Sequence, residues 1–242
     1  MGGLSLSLSS IVWVSCPLFT SLLTRGQTHI MTQSSSRSSQ VHFGSASRED
    51  TGAIAQLFSD AFAPDPVWSA IVPNEQRRRR TVKSGFKSEL EAGGYRYVDV
   101  ARTDSGFLLG ALNYLPPGAT TPTKHAFAEA VERITATITS SGRRGRTHDA
   151  AVQSRRPAQP HWYFRDIVTS PEARGKGIGS ALLRNRLAVV DEDPMPVFLE
   201  STTAGSRRLY ERYGFEHVET LTAIPGGTVF IMVRPALRPT GD

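Results

Sequence analysis

The sequence predicts a single α/β domain, a β-sheet flanked by helices, and three observations predict it. An apolar, aromatic stretch over residues 162–168 reads as a buried strand, and a helical pattern with apolar positions at Ile178, Leu182, Leu183, Leu187 and Val190 follows it. The two are joined by the glycine-rich run Ser170-Pro171-Glu172-Ala173-Arg174-Gly175-Lys176-Gly177-Ile178-Gly179-Ser180. A second strand-to-helix unit covers residues 196–201 and 204–212 and closes on Gly214, a natural helix-ending residue. Residues 216–222 and 228–233 are β-branched and apolar around Pro225-Gly226-Gly227, which predicts a terminal hairpin.

The first half is read in the same way. Residues 41–46 predict a strand. Ala53, Ile54, Leu57, Phe58, Ala61 and Phe62 recur at helical spacing after Arg48-Glu49-Asp50, and Pro64 and Pro66 break that helix. Asn74 is placed to cap a second helix running to about Glu91 and stopped by Gly93-Gly94. Residues 95–102 and 107–115 predict a hairpin. Residues 124–139 have helical spacing through Phe127, Val131, Ile134 and Ile138, whereas residues 140–160, rich in arginine and glycine, predict a loop insertion. The run Arg77-Arg78-Arg79-Arg80 predicts a solvated helix face. Trp68, Tyr95, Tyr97 and Trp162 are core residues or the lining of an acceptor pocket.

Length and composition narrow the function. A chain of 242 residues with 39% hydrophobic residues supports one well-cored domain plus extra segments. The domain is expected over residues 41–235, with an N-terminal extension over 1–40 and a tail over 236–242. The net charge of +6 is compatible with nucleic acid, but no binding motif accompanies it, so no nucleic-acid partner is expected. The one cysteine, Cys16, lies outside that domain, which excludes an internal disulfide and gives no thiol nucleophile in the fold. The six histidines lack ligand spacing, so no metal is expected. Residues 1–48 contain no acid, and residues 4–23 are too polar for a membrane span. Two readings of residues 1–30 stand side by side: an organellar, mitochondrial-type transit peptide, or a segment ahead of a start at Met31 in a cytoplasmic protein.

The glycine turn carries the chemistry. A helix N-terminus leaves backbone N–H groups without intrahelical partners and carries the positive end of the helix dipole, so it attracts anions. Glycines let a phosphate approach that backbone. The turn is not a phosphate loop of the G-x-x-x-x-G-K-[ST] type, because Lys176 sits between glycines. Nor is it the dinucleotide G-x-G-x-x-G, because Ser180 takes the third glycine's place. What remains is R-x-x-G-x-G, from Arg174 through Gly177 to Gly179.

This motif, placed after a strand and before a helix, resembles the pyrophosphate-binding motif of the GNAT superfamily of N-acetyltransferases. The following order of strand, helix, Gly-Phe and two strands is similar to the second half of that fold, a mixed central sheet with flanking helices. Trp162-Tyr163-Phe164, Phe198-Leu199-Glu200, Leu209-Tyr210-Glu211-Arg212-Tyr213-Gly214-Phe215 and Ile224-Pro225-Gly226-Gly227 look like the puromycin N-acetyltransferase branch. Ala61-Phe62-Ala63 followed by Asp65-Pro66 is similar too. The likeness is dense over residues 161–234, thin over 41–115 and nearly absent between them.

The resemblance implies an acetyl-CoA-dependent transfer of an acetyl group to the primary amine of a small molecule by direct attack through a tetrahedral intermediate. Arg174, Gly175, Lys176, Gly177, Ile178, Gly179 and Ser180 are then the phosphate set, and Ile167, Val168 and Thr169 the strand end that pairs with the pantetheine arm. An N–H near Val168 would polarise the thioester carbonyl. Ser206 stands where relatives carry an asparagine on the cofactor. Tyr210 would be the general acid towards the departing thiolate, or else an amphipathic helix anchor. The base is Glu200 or Asp166, unless either is a structural acid. The alternatives are a non-catalytic acyl-CoA-binding regulatory module and an arginine-rich RNA binder. The acceptor's identity and the oligomeric state are not legible, and no stable membrane insertion is expected.

Overall fold

The structure, a computed structural model, describes residues 40–122 and 139–237. Cys16, Met31, the N-terminal extension up to residue 39, the helix expected over 124–138 and the tail beyond residue 237 lie outside the described residues. The element order is β1 (Val41–Ser45), α1 (Thr51–Phe62), α2 (Pro66–Ile71), α3 (Glu75–Glu91), β2 (Val98–Thr103), β3 (Leu108–Leu115), α4 (Ser140–Gln153), β4 (Trp162–Thr169), α5 (Ile178–Val190), β5 (Val197–Ser201), α6 (Ala204–Glu211), β6 (Glu216–Ile224) and β7 (Gly227–Arg234).

The seven strands form one sheet in the order β1-β2-β3-β4-β5-β7-β6. It is mixed: β4 and β5 are parallel, and every other neighbouring pair is antiparallel. Helices α1, α2, α3 and Val152 of α4 bury one apolar layer against the sheet. Helices α5 and α6 bury a second layer on the opposite face. Gly110 of β3 lets α5 come close, since a Cβ there would lie 2.9 Å from the Val168 carbonyl oxygen and 3.1 Å from both Ile178 and Leu182. The sheet and its flanking helices match the predicted fold class.

Three local readings differ. Residues 140–153 form α4 rather than a loop. Their intrinsic helix preference is poor, with two glycines and few apolar residues, and tertiary contacts supply what propensity does not. Thr139 caps the helix through Gly142 N–H, Arg144 donates to the Ile71 carbonyl at 2.8 Å, and His148 and Val152 are buried. Pro66 starts a helix instead of breaking one: it occupies the first turn of α2, where its missing N–H costs nothing, and Asp65 caps that turn by accepting from Trp68 N–H at 2.8 Å. Within the arginine run, Arg78 is buried and donates to the carbonyls of Ala63, Val72 and Pro73, satisfying the chain ends left by α1 and α2.

Candidate active site

The site begins with a fault in the sheet. Along β4 and β5 only Trp162–Val197 and Tyr163–Phe198 are paired, so the strands part beyond Tyr163. The rest of β4 keeps its ladder with β3 and has an unpaired edge towards β5. A β-bulge deepens the effect. Phe164 pairs with Tyr114 and Asp166 with Asn113, which leaves Arg165 as the extra residue. Phe164 and Ile167, three residues apart, therefore both face the α5 layer, while Tyr163 and Val168 face the α1–α3 layer. Arg165 and Asp166 both turn to the α1–α3 side, where Arg165 pairs with Glu89 of α3 and Asp166 accepts from Asn113 Nδ2 at 3.0 Å.

The glycine turn lies at the open end of this seam. Thr169 is half-buried, and a single 3-10 turn, Pro171–Ala173, leads from β4 to the turn, anchored by buried Ala173 and Ile178. Arg174, Gly175, Lys176 and Gly177 are exposed. Gly175 and Gly177 have φ of 72° and 76°, in the left-handed region, with no atom within 4 Å of a Cβ at either. Backbone conformation selects glycine here, and the space above the turn is open. The first helical bond of α5 runs from Ala181 N–H to the Gly177 carbonyl, which leaves Ile178, Gly179 and Ser180 N–H without intrahelical partners. Glu172 is held below the ordinary carboxylate range, first by its own backbone amide and last by the Arg174 and Lys176 charges, two cations against one carboxylate at the turn. Free amides, room and positive potential suit a pyrophosphate. Gly179 needs neither a positive φ nor extra space; a Cβ there would make only an ordinary 3.5 Å contact with Thr169.

The side chains expected to act come from both faces of the sheet, with Tyr210 in the α5–α6 layer and Glu200 bonded to Tyr163 of the other layer. Tyr210 sits in the last turn of α6, which ends in a Schellman motif: Phe215 N–H donates to the Tyr210 carbonyl, Gly214 N–H donates to the Glu211 carbonyl, and Gly214 has φ 81°. The Phe215 ring packs 5.5 Å from that of Tyr210, the hydrophobic contact typical of the motif, and fixes the phenol. Burial, with the negative charges of Asp166 and Glu200 nearby, raises the Tyr210 phenol well above its ordinary value and keeps it protonated. Glu200 on β5 accepts from Tyr163 Oη at 2.9 Å. Ser206 is apart from this group: its hydroxyl is engaged by Ser201 Oγ at 2.6 Å and Thr203 Oγ1 at 2.7 Å, inside the cap of α6. Trp68 is core, and Trp162 packs at a tilt against Tyr114 where β4 is still paired, away from the seam's open end.

Other groups here were not singled out from the sequence. Asp149 of α4 is pushed up to about 8 by burial, an effect the Arg165 guanidinium partly offsets. His148 beside it is pushed down to about 4 by burial. Asp65 is pushed up to about 7, also by burial, while it bonds Thr202 Oγ1 at 3.0 Å beyond the end of β5. The available signal was polar residues set in apolar strands: Asn113 in Leu108–Leu115 and Arg165-Asp166 in Trp162–Thr169. Among the described residues no cluster of metal-ligating side chains occurs, and no helix is long and apolar enough to cross a membrane.

Known proteins place this geometry. The model of the acetyltransferase (GNAT) domain family matches residues 124–217. A Corynebacterium glutamicum protein, described as histone acetyltransferase HPA2 and related acetyltransferase, has a similar structure. It shares 24% identity, with 83% of this chain and 99% of that one covered, at a TM-score of 0.61. The polyamine N-acetyltransferase of Drosophila melanogaster superposes at 0.55 with 17% identity, over 80% of this chain and all but 1% of the other (99% covered). Arylalkylamine N-acetyltransferase 2 of Aedes aegypti does so at 0.57 with 13% identity, covering 81% and 98%. At these identities the structural likeness establishes the fold. The match to the acetyltransferase (GNAT) domain model over residues 124–217 is what supports an acyltransferase, and acetyl-CoA is the cosubstrate of that family.

Proposed function

We propose that this chain is an N-acetyltransferase that moves an acetyl group from acetyl-CoA to the primary amine of a small molecule, with its domain spanning residues 41–235. The observation that carries the reading is the seam between β4 and β5, with a double-glycine turn at its open end. Backbone N–H groups of Gly175 and of Gly177 to Ser180 would hold the pyrophosphate, helped by the side-chain charges of Arg174 and of Lys176, whose own N–H donates to the Ala173 carbonyl. The unpaired β4 edge at Ile167, Val168 and Thr169 would take the pantetheine arm as an added strand. The amine nitrogen attacks the thioester carbon, a backbone N–H near Val168 receives the developing oxyanion, and the C–S bond breaks. Glu200 takes the proton leaving the amine and Tyr210 supplies one to the thiolate. Asp166, already bonded by Asn113, serves as the positioned neighbour, and Ser206 serves the α6 cap.

The acceptor class draws on the neighbours, whose names include agmatine, polyamine and arylalkylamine N-acetyltransferases. The motif set from Trp162 to Gly227 supports a place beside the puromycin N-acetyltransferase branch. A screen of purified protein with acetyl-CoA and a library of small amines, reading free thiol, tests the reading. Amine-dependent thiol release is the expected result. Thiol release that no amine accelerates would overturn it.

A further inference from the structure

One strong hydrogen bond in the seam has no role in the reaction as written. Tyr163 Oη donates to Glu200 Oε1 at 2.9 Å, and both residues are at most 2% exposed. Tyr163 stands on the last paired rung of β4 and β5, opposite Phe198, and Glu200 lies two residues past Phe198 on the same strand face. The bond therefore reaches from the closed part of the seam into the part that has opened. The phenol is held in place. The Arg156 guanidinium, just beyond α4, lies over the Tyr163 ring at 4.5 Å from its centroid. Arg156 is itself directed by His161 Nε2 at 3.2 Å and Gln153 Oε1 at 3.3 Å. The Phe198 ring meets Tyr163 edge-on at 5.4 Å.

We infer that Tyr163 is a positioning residue for acyl transfer: its hydroxyl aims the Glu200 carboxylate into the seam and favours the ionised form that accepts the amine proton. Packing alone needs only a phenylalanine at 163, whereas a buried hydroxyl must find a partner and here finds a carboxylate. The other ionisable groups around the pair are Arg165 and Asp166 of β4, Tyr210 of α6, Arg156 after α4, and Asp65 joined to Thr202 beyond β5.

The inference rests on Glu200 being the base, and the test separates the two. The pH dependence of kcat/KM is measured for the wild type, Tyr163→Phe and Glu200→Gln with acetyl-CoA and the best amine of the screen. Loss of the donor raises the Glu200 pKa, so in Tyr163→Phe the acid limb moves up by about one pH unit, the size expected of a hydrogen bond to a charged group. Its deficit is then about tenfold larger at low pH than on the alkaline plateau. Replacement of Tyr163 by 3,5-difluorotyrosine, a stronger donor of the same shape, moves the limb down. A limb that stays put in both Tyr163 variants overturns the positioning role. A limb that persists in Glu200→Gln, or a wild type that acetylates no amine, overturns the reading beneath it.

Discussion

At Tyr210 one side chain serves two scales. Its carbonyl closes the Schellman motif of α6 and its phenol lies among acidic neighbours that keep it protonated. Phenylalanine would preserve the helix end and the contact with Phe215. Tyr210→Phe is therefore expected to lower kcat by about 10²-fold or more, with KM for acetyl-CoA within about twofold, in steady-state assays. Asp65 gives a pH signature. Its folded pKa, near 7, lies above the unfolded value, so the stability owed to its neutral form is full below about pH 4 and is lost as pH rises towards 7. Asparagine has no such proton to lose. Thermal melts of the wild type and Asp65→Asn should diverge between about pH 4 and pH 7, with the wild type losing ground as pH rises. A constant difference would show that Asp65 does not titrate there.

Elements were legible where local chemistry specifies them. The glycine turn before α5, Gly214 after α6 and Asn74 before α3 each announce a backbone event in the residue type itself, and each stands where it was read. α4 was not legible, because its helicity depends on distant partners: Arg144 on the Ile71 carbonyl and Arg155 just past its end on Glu219 of β6. Arg78 misled for the same reason, since the carbonyls it satisfies belong to other segments. The site divides along the same line. The glycine turn shows in residue type and spacing and Tyr210 is named only through the family resemblance, whereas the contacts of Tyr163 and Arg156 depend on how β4, β5 and the end of α4 meet. A helix held by its contacts leaves room for gain in propensity. Gly145 is interior to α4, and a Cβ there would meet only Ile71 at an ordinary 3.8 Å. Gly145→Ala should add about 0.5–1 kcal/mol to the unfolding free energy in urea melts.

Across the molecule, the sheet separates two layers, and the seam is the place where both reach one site: α5 with its glycine turn from one side, and α1–α4 from the other. Asn113 ties β3 to β4 through Asp166, and Arg165 holds that second side to β4 through a buried ion pair with Glu89 that ties α3 to the bulge. Breaking such a pair removes the principal counter-charge of a fully buried guanidinium. Glu89→Gln is expected to cost about 3–5 kcal/mol in denaturant unfolding and to loosen the seam with it. The most direct test of the whole account is calorimetric titration of coenzyme A into the folded protein. Saturating heat in the wild type, lost in Gly177→Glu while the fold is retained, is the result predicted. An absence of heat and saturation at millimolar coenzyme A would contradict it.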